Sequence, residues 1–161
     1  MIELEVRRAR DDRRRYAIDG DAWWRRQSWK AYTSDAVVDG RELRFSRTGL
    51  FGRAAIAEDA ATGEVVAEWR RGRVMAGGGE LRLRRAGRWW KSEWALTGDA
   101  GDVVRFESRG WSGNEMRLLV DEHARLPRPV LLFSTWLVAC LKQDDSSAAA
   151  AGASAAVVAS S

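Results

Sequence analysis

The sequence predicts an all-β fold: a closed antiparallel barrel of about twelve strands, built from repeated meanders, that encloses a C-terminal hydrophobic α-helix. The segment from Pro129 to Leu141 contains no charged side chain. A helix there has no polar face and must be buried on all sides. About a hundred residues of short alternating segments precede it, and part of that region repeats itself. A barrel of such strands provides the surroundings that the helix needs.

The helix is too short to cross a membrane. From Val130 to Leu141 it has twelve residues, about 18 Å at roughly 1.5 Å per residue, and a bilayer core is about 30 Å thick. Apolar runs of this length are usually buried core helices or interfacial segments. We predict the core helix, spanning 130–141. Its main core side chains are Leu132, Phe133, Trp136, Leu137 and Cys140.

The N-terminal residues alternate as a strand does. Ile2, Leu4 and Val6 share one face, and charged residues lie between them. Asp11 and Asp12 then indicate a turn, followed by a second strand around 16–18. The pattern between residues 19 and 40 does not identify its secondary structure.

A repeat organises the middle of the chain. Glu42–Gly49 matches Glu80–Gly87 at an offset of 38 residues, and the match continues without a gap to Arg109-Gly110. A third start is predicted at Glu115. Such repeats indicate a repeated supersecondary unit, here a meander of three strands. Gly77-Gly78-Gly79 is predicted to be a hairpin loop, because the Gly-Lys-Ser/Thr of a phosphate loop does not follow it.

The C-terminal part divides into the helix and a tail. Pro129 suits the first turn of a helix. Residues 144–161 are rich in Ala and Ser, so we expect a low-complexity tail that is mobile or transiently helical. The domain itself is predicted to span 1–143.

Candidate reactive residues are few. The single cysteine, Cys140, allows no intrachain disulfide and lies in the buried helix. The single histidine, His123, lies in a charged loop. The N-terminus has no uninterrupted apolar segment of the kind found in secretory signals. We expect a cytoplasmic protein that is not an enzyme and has no catalytic residues, cofactor or metal.

The strand pattern and the apolar helix resemble one family. The residues that carry the likeness are Asp59–Trp69, Thr97–Ser108 and Val130–Leu141. They resemble the tubby C-terminal-like superfamily, which includes phospholipid scramblases and LURP-one-related proteins. The resemblance covers about Met1 to Lys142 and implies a twelve-stranded barrel around a central helix. A Cys-rich palmitoylation segment and an acidic calcium loop are not found, so scramblase activity and calcium dependence are not implied.

Arginine interleaved with tryptophan is the remaining functional signal. In a strand, alternation places Trp inward and Arg outward without any ligand, although Trp89 and Trp90 cannot both face the core of a regular strand. We predict a non-enzymatic binding or scaffold module that meets an anionic phospholipid surface or a protein partner, with peripheral membrane association. The candidate lipid- or anion-binding residues are Arg70, Arg71, Arg85 and Arg88.

Two other functions stay open. A nucleic-acid-binding basic barrel is disfavoured, because the net charge is only +4 and 23 acidic residues are interspersed among 27 basic ones. A lipocalin-like carrier of a small ligand would require the helix to lie outside the barrel.

Overall fold

A computed structural model describes residues 1–27, 33–49, 52–88, 93–109 and 115–159. Twelve antiparallel strands form a closed barrel, and one long helix follows them, which confirms the predicted fold class. The strands are β1 (Ile2–Arg8), β2 (Arg15–Asp19), β3 (Ala22–Arg26), β4 (Thr33–Val38), β5 (Arg41–Thr48), β6 (Ala54–Asp59), β7 (Val65–Arg70), β8 (Arg73–Ala76), β9 (Gly79–Ala86), β10 (Glu93–Gly98), β11 (Gly101–Ser108) and β12 (Met116–Val120).

The barrel closes between its first and last strands. Each strand pairs with its neighbours in sequence, and β1 also pairs with β12 over five residues, from Ile2 opposite Val120 to Val6 opposite Met116. Every strand therefore has two partners. Closure of this kind removes the exposed edges at which open sheets associate.

The helix α1 (Arg128–Ala159) passes through the lumen. All residues from 130 to 139 are buried, and all twelve strands contribute at least one buried side chain to the same core. Phe45 of β5 packs against Phe133 and Trp136 of α1, with ring centroids 5.4 Å away in both cases. The external helix of the lipocalin-like alternative is therefore not observed.

The helix is longer than predicted. It begins two residues before Val130, and it continues past Leu141 through the Ala/Ser-rich segment as far as Ala159. Loss of apolar character marks the end of the buried part and not the end of the helix. Alanine has the highest helix propensity, and adding residues to an existing helix is easier than nucleating one.

The repeated unit has four strands and not the predicted three. The extra strand is β8, which has only four residues and lies between glycine turns, so its alternation is too brief to recognise. Glu115 precedes β12, which is the fourth strand of the second unit. The prediction of a third start there was wrong. The hairpins β2–β3, β6–β7 and β10–β11, four strands apart, each contain a register shift, which makes β1–β4 a further unit of the same form.

The antiparallel order gives the barrel two different ends. We call the end with the hairpins β2–β3, β4–β5, β6–β7, β8–β9 and β10–β11 the turn end, and the opposite end the loop end. The helix enters at the turn end, where Arg128 forms ion pairs with Asp19 at 2.7 Å and Asp39 at 2.5 Å. It leaves at the loop end, so residues 143–159 extend about 25 Å beyond the buried part at a helical rise of about 1.5 Å per residue.

Candidate anion-binding end of the barrel

Three arginines occupy equivalent positions on β1, β5 and β9 at the end where the helix leaves the barrel. On each of β1, β5 and β9, two apolar side chains at alternate positions point toward the core. An arginine lies two residues after the second of them, on the same face of the strand. These strands lie four apart in a ring of twelve, about a third of the circumference from one another. We call the three arginines the mouth arginines. The three series are Leu4-Val6-Arg8, Leu43-Phe45-Arg47 and Leu81-Leu83-Arg85.

Two of the mouth arginines are held by the helix. Arg47 Nη1 lies 2.5 Å from Asp144 Oδ2, and Arg85 Nη2 lies 2.5 Å from Asp145 Oδ2. Arg47 also donates two hydrogen bonds to the carbonyl of Gly52, at 2.9 and 2.6 Å, and its side chain is only 5% exposed. Arg85 is 66% exposed and stacks over the Trp94 ring at 5.5 Å. The helix therefore meets one shielded and one accessible arginine.

A buried lysine lies one turn earlier on the helix. Lys142 is 4% exposed, and its ammonium donates a hydrogen bond to Ser108 Oγ at 2.5 Å. Burial lowers the pKa of Lys142 to about 8, and the nearby charge of Glu93 opposes that effect.

The four arginines predicted as an anion site come together at this end. Arg70 ends β7, and Arg71 lies in the tight turn to β8. Arg85 lies near the end of β9, and Arg88 follows that strand. All four are exposed. Arg70 is partly neutralised by Glu68, at 3.3 Å. Two of the four residues thus lie on β7 and β9, and the other two lie in the connections that follow these strands.

The turn at Arg71 explains how this residue is presented. Arg71 and Gly72 have φ angles of 52° and 77°, the left-handed conformation of both central residues in a type I′ hairpin turn. Glycine adopts this conformation readily, whereas arginine does so at some cost. The tight turn displays the Arg71 side chain at the tip of the hairpin.

Further arginines at the loop end are neutralised by acids only in part. In the β1–β2 loop, Asp12 lies 2.6 Å from Arg25 and Asp11 lies 3.3 Å from Arg15. A backbone hydrogen bond from Arg14, and then the Arg25 side chain, lower the pKa of Asp12. Arg8, Arg10 and Arg13 of the same segment are exposed as well, so this side of the loop end is also basic.

The turn end is acidic by contrast. Asp59 accepts hydrogen bonds from the backbone N–H groups of Ala61 and Thr62, at 2.9 and 3.1 Å, and the Arg41 side chain is the largest cause that lowers its pKa. Carboxylates favour such tips because they bond to turn N–H groups. Four of the five hairpins carry them: Asp19, Asp21, Asp39, Asp59, Glu64, Asp99 and Asp102. The two ends of the barrel therefore differ in charge.

Sequence reasoning missed Arg8, Arg47 and Lys142. Arg47 and Arg85 occupy the same position of the 38-residue repeat, which is the signal that was available. The contacts of these residues around the helix depend on the direction of each strand and on the end of the barrel from which the helix leaves. The sequence pattern indicates neither of these. Trp89 and Trp90, singled out above, lie outside the described residues.

Reactive groups elsewhere offer little chemistry. His123 is exposed, and burial raises the pKa of the Cys140 thiol to about 12. Among the described residues, no group of three His, Cys, Asp or Glu side chains is arranged to hold a metal ion. Cavities of about 360 and 190 Å³ adjoin the β8–β9 hairpin at the turn end. Neither is lined by a loop-end arginine.

Comparison of this chain with protein-family models, with curated proteins and with solved structures gives no match. Within the part of the chain that the structure describes, no helix is long and apolar enough to cross a membrane. The feature of the barrel that bears on function is its charge distribution.

Proposed function

We propose that the chain is a non-enzymatic binding module of the tubby-like kind that attaches reversibly to anionic phospholipid through its loop end. One observation carries the proposal: Arg70 of β7, Arg71 of the β7–β8 turn, Arg85 of β9 and Arg88 after β9 are all exposed at one end of the barrel. The carboxylates of the hairpin tips lie at the other end.

The charges are sufficient for weak attachment. A basic residue near an anionic membrane contributes about 1 kcal/mol before screening. Four such residues give reversible binding, and salt weakens it because the Debye length is only about 10 Å at 0.1 M. The proposal therefore includes a strong dependence on ionic strength.

The helix limits how the module meets a surface. Residues 143–159 leave the barrel at the same end as the arginines. A flat surface cannot meet that end squarely without contacting the helix. The four arginines lie to one side of it, on β7–β9, so the barrel approaches tilted toward that side.

Co-sedimentation with vesicles tests the proposal. The quadruple variant Arg70→Gln/Arg71→Gln/Arg85→Gln/Arg88→Gln is compared with the wild type on phosphatidylserine-containing and on neutral vesicles, at low and physiological salt. The matched control removes the same charge from arginines of the barrel wall, of which Arg105 is half-buried and the others are exposed: Arg44, Arg82, Arg84 and Arg105.

We expect salt-sensitive binding of the wild type to anionic vesicles only. Binding of the quadruple loop-end variant to anionic vesicles should fall to the level seen with neutral vesicles. Binding of the wall variant should stay within about twofold of the wild type if the location of the charges, rather than their total, determines binding. Absence of wild-type binding at low salt would remove the proposal. A parallel shift assay with single-stranded and duplex DNA tests the nucleic-acid alternative.

A further inference from the structure

Asp144 and Asp145 are placed to meet two equivalent positions of the barrel. Arg47 and Arg85 are related by the 38-residue repeat, and their strands lie about a third of the barrel circumference apart, about 120°. Successive residues of an α-helix point about 100° apart. Two consecutive aspartates on a helix along the barrel axis can therefore each reach one mouth arginine, as they do at 2.5 Å.

We propose that Asp144 and Asp145 are built-in competitors for the anion that the loop end binds. This inference rests on the proposed function, since Arg85 is one of the four arginines assigned to lipid. The two carboxylates occupy guanidinium groups that lipid phosphate or carboxylate would otherwise contact. The helix tail thereby keeps the module in a weakly binding state.

The chemistry of the two ligands is alike. A guanidinium offers a planar fork of N–H donors that suits carboxylate and phosphate oxygens equally. An external anion can therefore replace the internal one without any rearrangement of the barrel. Since Trp136 and its neighbours anchor the helix in the core, only the aspartate side chains need to move.

The two pairs differ in how easily they open. The Arg85 and Asp145 side chains are 66% and 36% exposed. The Asp145 Oδ2 atom is buried and makes no hydrogen bond in spite of its short distance to Arg85, and an ion pair without a hydrogen bond and with one accessible partner is held weakly. Arg47 is shielded and also bonded to Gly52. The Arg85 pair is the one that opens first. The third mouth arginine, Arg8, has no carboxylate within ion-pair distance among the described residues, so it stays available throughout.

The test is the affinity of Asp144→Asn/Asp145→Asn for anionic vesicles. The matched control is Asp19→Asn/Asp39→Asn, which also removes two aspartates paired with arginine, in this case Arg128 at the turn end. Both variants raise the net charge by two, from +4 to +6. Partitioning is titrated on phosphatidylserine vesicles, with and without inorganic phosphate at constant ionic strength.

We expect Asp144→Asn/Asp145→Asn, the tail variant, to partition onto anionic vesicles about tenfold more tightly than the wild type. For the control variant we expect partitioning to tighten by less than about twofold. Equal tightening in both variants would assign the effect to net charge and overturn the inference while leaving the proposed function intact. No change in the tail variant would also overturn it. Failure of both wild type and tail variant to bind would overturn the inference and the proposed function together.

Two further measurements test the inference if the double variant does not fold or if the bound anion is not lipid. If the double variant does not show a cooperative melt, Asp145→Asn alone is measured, and we expect about threefold tighter partitioning because it frees the exposed Arg85. No tightening there overturns the inference. Displacement of the bound protein by inorganic phosphate at constant ionic strength would overturn the assignment of the released arginines to lipid and give them to a soluble anion.

Discussion

At the scale of single residues, Trp136 shows how the helix is fixed inside the barrel. Its side chain is 2% exposed, and its indole N–H donates a hydrogen bond to Ser34 Oγ of β4 at 3.0 Å. The ring also packs on Phe45 and Phe133. Buried polar groups are tolerated when they are paired in this way. The bond gives one rotational setting of an otherwise apolar helix a specific advantage.

Replacement of Trp136 tests this anchoring. Trp136→Ala is expected to lower the free energy of unfolding by about 3 to 5 kcal/mol, because a large aromatic leaves a cavity in a packed core. Trp136→Phe retains most of the ring but leaves the buried Ser34 hydroxyl without its donor, so an intermediate loss is expected. Urea titration measures both. A loss below about 1 kcal/mol for Trp136→Ala would contradict the buried position.

Lys142 makes stability depend on pH in the alkaline range. Below about pH 8 the lysine is charged in both the folded and the unfolded chain, so the full cost of burying the ammonium opposes folding. Between pH 8 and 10.5 the folded chain releases the proton and the unfolded chain keeps it. This contribution therefore makes stability increase as the pH rises through that window.

Lys142→Met removes that contribution. The variant is expected to be more stable than the wild type at pH 7, by at most about 3 kcal/mol from a pKa difference of this size, and the advantage should shrink as the pH approaches 10. Urea titrations of both proteins at pH 7 and pH 10 measure it. Wild-type and variant stabilities that change in parallel with pH would contradict a strongly lowered lysine pKa.

At the scale of elements, α1 combines a buried half and a projecting half. The absence of charge from Val130 to Leu141 was enough to predict a central helix. Its continuation to Ala159 was not predicted, because a low-complexity Ala/Ser segment alone is only marginally helical in water. In the folded chain, the buried turns act as the nucleus. Local composition therefore predicted the buried half of the helix, which packing stabilises. It did not predict the second half, which continues from the buried half.

Truncation separates the two halves. A chain that ends after Asp145 keeps every helix residue that is buried among residues 128–148, for which burial is described, and both ion pairs with the barrel. Its free energy of unfolding is expected to lie within about 0.5 kcal/mol of the wild type, as for other changes away from packed features. Ending after Gln143 removes the partner of the shielded Arg47, and a further loss of about 1 kcal/mol is expected. Strong destabilisation by the first truncation would show that the projecting helix packs on the barrel.

At the scale of the whole molecule, the architecture could be predicted from the sequence, but only part of the candidate site could. About ten to twelve short strands and a buried helix followed from alternation, turn residues and one apolar run, and the resemblance stated above implied a closed barrel around that helix. Arg70, Arg71, Arg85 and Arg88 were identified as a basic cluster, and the strand order places them at one end. Their relation to Asp144 and Asp145 was not predictable, because it requires the helix to be threaded in a known direction.

The difference between the ends has a simple origin. Hairpin tips at the turn end use Asp and Gly to satisfy tight turns, and several of the strands that run toward the loop end finish in arginine. A modest net charge of +4 is therefore distributed unevenly. We propose that this uneven distribution orients the protein on an anionic surface. The β7–β9 side of the loop end then faces the surface.

A pair of fluorescent labels tests that orientation most directly. An environment-sensitive fluorophore is attached either at Arg73→Cys, which is exposed beside the loop-end turn of β7–β8, or at Thr62→Cys, which is exposed at a turn-end tip, each in a Cys140→Ala background. On adding phosphatidylserine vesicles at low salt, we expect a blue shift of the emission from the label at position 73, reversed by salt, and no shift from the label at position 62. An equal shift at both positions, or a shift at position 62 alone, would contradict it.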